Sequence, residues 1–217
     1  MNSAVVRRSG LWASLLLACL ALASPAQAHH PMGGDTPFTL MQGLISGFAH
    51  PVIGLDHLAF ILSVGAASAF LAKRFLTPLV FVGATLAGCA LQLQGVTLPL
   101  AEIAIAASVV AIGVAILSGA ALPSAFYIVL FGVAGLFHGW AYGGSIVGAE
   151  QTPLVAYLLG FASIQAVIAI ASMMATRALW QSAGAVPLRI AGGAIAGFGL
   201  ALLVHNVESL ILPGVAV

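Results

Sequence analysis

His50-Pro51-Val52-Ile53-Gly54-Leu55-Asp56-His57-Leu58-Ala59-Phe60 lies inside an apolar run from Leu44 to Leu71 whose only charged side chain is Asp56. A run of this length exceeds the ~20 residues that a membrane-crossing helix needs, so its reading sets the solvent for the whole chain. Ionisable residues are rare at such depth and usually functional. In an ideal helix His50 and His57 share a face two turns deep, while Asp56 points away from both. Pro51 and Gly54 change that expectation, because proline removes a backbone donor and glycine tolerates distorted backbone. The stretch predicts a membrane helix with a kink that turns all three side chains towards one point.

Composition agrees. Hydrophobic residues make up 62% of the chain and charged residues 5%, against about a quarter charged in a soluble domain. The fold class expected is all-α, a polytopic membrane protein with six transmembrane helices and a lipid bilayer as its main partner. Beyond Phe38 the apolar segments run roughly Leu44 to Leu71, Pro78 to Gln94, Leu98 to Ser118, Pro123 to Tyr142, Pro153 to Thr176 and Leu188 to Leu210. Prolines 78, 99, 123, 153 and 187 fall at or beside the starts, where a missing N–H costs least. A net charge of +1 offers no basic surface for nucleic acid. Abundant Gly, Ala and Ser allow close helix packing or homo-oligomer contacts.

Residues 1–28 read as a cleaved secretory signal: Arg7 and Arg8, then an apolar run from Leu11 to Ala23, then Ala26-Gln27-Ala28 as the cleavage site. The mature chain, 29–217, forms one domain that begins with His29-His30, a weak metal-capturing tip or simply a polar one. Cys19 falls in the removed segment, so Cys89 has no disulfide partner. A cleaved signal and six crossings place both mature termini on the outer face of the membrane. Lys73, Arg74, Arg177 and Arg189 then all fall at the cytoplasmic side, as the positive-inside rule requires.

With that topology, His50, His57, Glu102, His138, Glu150, His205 and Glu208 all lie in the outer half. A second polar cluster is Phe137-His138-Gly139-Trp140-Ala141-Tyr142-Gly143-Gly144, followed by Glu150. Small residues there leave the His138 ring accessible, while Trp140 and Tyr142 suit the interfacial belt. His205 and Glu208 either complete a site or pair with each other. Glu102 reads as a helix N-terminal charge that snorkels outward, and Gln92, Gln94 and Gln165 as bonds between helices or the lining of a path. Imidazole and carboxylate together suit Ni²⁺, Co²⁺ or Zn²⁺ rather than Cu(I). Asp56 either coordinates or holds the second nitrogen of a histidine ligand.

The H-P-V-I-G-L-D-H-L-A-F stretch and the F-H-G-W-A-Y-G-G...E stretch resemble the signatures of the HupE/UreJ family of nickel/cobalt permeases. The signal, the size and the six-helix plan are similar to that family along essentially the whole chain. The resemblance implies uptake of Ni²⁺, sometimes Co²⁺, as a transported substrate across a bacterial inner membrane, so that both termini lie in the periplasm, with no resident cofactor and no enzymatic activity. By motif it assigns metal handling to His50, Asp56 and His57, and also to His138 and Glu150. His205 and Glu208 join the candidate metal set on depth alone.

The energetics need no nucleotide. No G-x-x-x-x-G-K-[ST] loop is present, and a divalent cation moving inward gains about 4.6 kcal/mol per 100 mV, roughly a thousandfold accumulation. Facilitated or secondary transport, including proton exchange through the histidines, is open. A membrane b-type cytochrome is the alternative, with His57, His138 and His205 as axial ligands. H-E-x-x-H and G-x-S-x-G motifs are absent, which weighs against intramembrane proteases.

Overall fold

The computed structural model describes residues 36–212, so the signal segment, its cleavage site and His29-His30 lie outside the described residues. The described chain is α-helical: α1 Leu40–Ile53, α2 Leu55–Ser68, α3 Leu76–Leu93, α4 Ala101–Ser118, α5 Ser124–Gly143, a short 3-10 turn Gly144–Ile146, α6 Gln151–Ala183 and α7 Val186–Ile211. Thr39 starts α1 through a capping box, its hydroxyl accepting from the Gln42 N–H while the Gln42 side chain accepts from the Thr39 N–H. The expected segment ends hold within a few residues, except that α6 is 33 residues long. At ~1.5 Å per residue it is about 50 Å long and outruns the bilayer.

The first segment is broken. α1 and α2 meet at an angle of 81°. Pro51 sits in the last turn of α1 without ending it, and the helix stops at Gly54, whose backbone is extended at φ −72° and ψ 105°. Proline has already removed the bond to the Gly47 carbonyl, so one further residue in extended conformation is enough to end the helix.

Contacts along α6 show that the two halves form a single crossing rather than a hairpin that turns back. Gly43 packs on Pro153, Gly47 on Tyr157 and Phe161, and Gly65 on Ala169. Further along, Ser172 Oγ donates to the Leu62 carbonyl at 2.6 Å and Arg177 Nη1 to the Ala69 carbonyl at 2.9 Å. From Gly43 on Pro153 through Gly47 on Tyr157 and Gly65 on Ala169 to Ala69 with Arg177 the residue numbers rise together, so α1 and α2 follow α6 in the same direction from one end to the other.

The remaining helices pair just as closely. α3 and α5 are parallel, with Gly135 against Phe81 and Ala84, Gly139 against Thr85, and Gly143 against Cys89 and Gln92. α4 and α7 are antiparallel, with Gly113 against Ala196, Gly192 against Leu117 and Gly199 against Val110. Six alternating crossings require all three relations. Each contact is made where a glycine lets two backbones touch, the small-residue packing typical of membrane helices. Polar side chains add to it inside the bundle: Thr77 Oγ1 donates to Ser68 Oγ at 2.8 Å, and Gln165 Nε2 donates to Thr85 Oγ1 at 3.2 Å.

The cations share one end of the bundle. Arg177 reaches Ala69, Lys73 and Arg74 lie in the turn after α2, and Arg189 packs beside Gly119 at the end of α4.

Candidate functional site

Three elements meet at the buried centre of the half of the bundle away from the cationic end. His57 is on the first turns of α2, immediately after the break, and His138 is near the end of α5, about 8 Å below Gly143 at ~1.5 Å per residue. Their Nδ1 atoms are 2.7 Å apart. On its far side the His138 ring is 3.1 Å from Ser108 Oγ on α4, measured from Nε2. The His138 side chain is fully buried and that of His57 nearly so, with Phe60 tilted over the His138 ring at 4.6 Å. An α4 serine, an α5 histidine and an α2 histidine thus form one hydrogen-bonded row across the bundle.

Asp56 is half-buried in the first turn of α2, where the helix N-terminus favours a carboxylate. It lies within electrostatic reach of both histidines. Glu102, in the first turn of α4, lies within the same reach of Asp56 and His57, and its carbonyl accepts from Asn206 Nδ2 at 3.2 Å. The Cδ2 edge of His57 and Asp56 Oδ1 both flank Gly54, at 2.7 and 3.3 Å from where a Cβ would stand. A side chain at the break would press on both groups.

His50 forms a separate cluster nearer the end. Its Nδ1 is 3.0 Å from both Ser145 Oγ and Tyr157 OH, and those two hydroxyls also reach the Tyr142 carbonyl. Tyr142 connects the two clusters: its ring stands 4.9 Å from His50 and 4.1 Å from His57. The expectation that Tyr142 sits in the interfacial belt is therefore corrected. It follows His138 by one turn on the same helix face, is fully buried, and its hydroxyl has no hydrogen-bond partner among the described residues. Trp140, by contrast, faces the rim, where Nε1 donates to the Val96 carbonyl at 2.6 Å.

The other candidates stand apart from this row. Glu150 is exposed at the start of α6, and His205 and Glu208 are exposed on the last turns of α7. Among the described residues no group of three or more His, Cys, Asp or Glu side chains is gathered as a ready metal cage. What exists is a pair of imidazoles, with Asp56 preceding His57 on α2 and Glu102 exposed in the first turn of α4.

Ser108, Tyr142, Ser145 and Tyr157 are the residues that sequence reasoning did not place here. A serine or tyrosine inside an apolar helix has no spacing signal that separates a site from ordinary packing. Gln165 was named only as a bond between helices or a path-lining group. It makes the bond to Thr85, yet its Oε1 is buried without a hydrogen-bond partner among the described residues.

A sequence model of the HupE / UreJ protein family matches residues 17–202. The chain is 32% identical over 190 residues to Protein HupE of Rhizobium leguminosarum bv. viciae, covering 87% of this chain and 95% of that protein. No solved structure matches.

Proposed function

Because the chain belongs to the HupE/UreJ family, which is associated with nickel/cobalt uptake, we propose that it carries Ni²⁺, and Co²⁺ as a second substrate, inward across the bacterial inner membrane. The observation that supports this reading most is the buried His57–His138 pair, with Asp56 alongside, at the break of a membrane-crossing helix. Imidazole and carboxylate donors match a borderline dication. A broken span adds, as oxygen donors, carbonyls of the last turn of α1 beyond that of His50, which accepts from the Gly54 N–H. His50 stands above, at the mouth, and Glu102 is a further carboxyl group, exposed in the first turn of α4. The cation sheds part of its water at this level and gives it up on the side where the arginines and Lys73 gather.

The cytochrome alternative fits this geometry poorly. Two ring nitrogens 2.7 Å apart leave no room for an iron macrocycle between them, and His205 is exposed.

Membrane potential is sufficient as the driving force. Whole cells producing the protein are expected to accumulate radiolabelled Ni²⁺, with excess Co²⁺ competing and an uncoupler stopping the accumulation. Uptake that ignores Co²⁺ and survives loss of the potential would rule out potential-driven transport of both ions. Orientation has its own test: an alkaline phosphatase fused after Val217 should be active, since this reading places the C-terminus in the periplasm. An inactive fusion, with a cytoplasmic reporter active at the same point, would reverse the direction.

A further inference from the structure

Resting on the reading that His57 is a donor to the transported cation, we infer that Ser108 and His138 form a relay that fixes which nitrogen of His57 carries the lone pair. The inference follows from counting protons. A serine hydroxyl has one proton. Ser108 Oγ lies 2.7 Å from the Ile105 carbonyl, which can only accept, and 3.1 Å from His138 Nε2. The shorter bond takes the proton, so Ser108 accepts from an N–H at His138 Nε2. A neutral imidazole has one N–H and one acceptor, so His138 Nδ1 carries a lone pair. That atom sits 2.7 Å from His57 Nδ1, which must therefore be the donor. The His57 lone pair is left on Nε2. Nε2 is bonded to Cδ2, the edge that lies against Gly54 with Asp56 Oδ1 nearby.

The relay assigns unlike roles to two histidines that look equivalent in sequence. His138 has both nitrogens engaged and its side chain is fully buried, so it is a positioning residue. Nor does a single ion bridge the pair as it stands. Two nitrogens held at about 2.0–2.1 Å and at right angles in the square or tetragonal shell that suits Ni²⁺ are about 2.9 Å apart, still wider than the 2.7 Å observed. Without an acceptor at Ser108, His138 no longer has a reason to hold its proton on Nε2. The row can then reverse, with His138 donating from Nδ1 and His57 protonated at Nε2. The lone pair beside Asp56 would be lost.

The test uses the full-length protein in lipid bilayers, labelled with ¹⁵N-histidine. Ring-nitrogen spectra, with His57 and His138 assigned from the His57→Gln and His138→Asn variants, should show a bare Nε2 on His57 and a protonated Nε2 on His138. The opposite tautomers would overturn the relay. Ni²⁺ titration then reads its consequence. Ser108→Ala should bind Ni²⁺ about 10–100-fold more weakly, the range for losing a group that orients a ligand, while Ser108→Thr, which keeps the oxygen, restores binding. Unchanged affinity in Ser108→Ala, with the unmodified protein binding Ni²⁺, overturns the relay and leaves the transport reading intact. If the unmodified protein binds no Ni²⁺, the transport reading fails instead, and the spectra still decide the proton pattern. Should Ser108→Ala fail to fold, the unmodified protein's spectrum decides alone.

Discussion

His57→Ala abolishes Ni²⁺ accumulation while leaving the protein in the membrane: this is the expected outcome with the greatest consequence for function. Loss of a group that merely orients a metal ligand costs about 10–100-fold in affinity, and loss of the donor itself costs no less. His50→Ala and Asp56→Ala should act in the same direction, since one stands at the mouth and the other beside the donor. Alanine at 57 also leaves His138 Nδ1 facing empty space, a cost of about 1–3 kcal/mol for an unsatisfied buried group. His57→Gln separates the two effects, because an amide N–H can still bond to His138 but offers no imidazole nitrogen. Normal uptake by His57→Gln would remove His57 from the metal's path.

The second large effect concerns stability. Gly139→Ala should reduce the amount of protein in the membrane and lower the unfolding temperature in detergent, because a Cβ there coincides with the backbone of Thr85. Overpacking typically costs about 1–3 kcal/mol and sometimes more. Here neither side can yield cheaply, since both are helix backbone. Moving them apart also disturbs the Cys89 Sγ to Gly139 carbonyl bond, at 3.1 Å, and the Thr85–Gln165 bond. Gly83→Ala provides the control. It changes the same helix pair at a position where a Cβ meets nothing within 4 Å. Equal behaviour of the two variants would mean that the α3–α5 contact does not hold the bundle together.

Much of this architecture is legible in the residues themselves. Length and apolarity predict the crossings, the proline and glycine in the His50–Phe60 stretch predict the break, and the Lys and Arg positions predict that one end is cationic. The neighbours are harder to read. A membrane helix is apolar all round, so periodicity does not distinguish the face against lipid from the face against protein. Tyr142 was therefore assigned to the rim although it stands between two histidines, and Ser108 carried no signal at all. His205 and Glu208 show the converse: equal depth suggests a shared site, while α7 packs mainly on α4 and exposes both. Depth is one coordinate, and a binding site needs three.

The parallel register of α1 and α2 with α6 has a consequence for how the protein is made. Among the crossings the broken span leaves the ribosome first, but the helix that braces both of its halves, at Gly43, Gly47 and Gly65, is the fifth to be made. Until then the bend at Gly54 has no wall to lean on. Final assembly of the histidine row is thus a late event in biogenesis, and a nascent chain halted before Gln151 would hold His57 and His138 without the scaffold that aligns them.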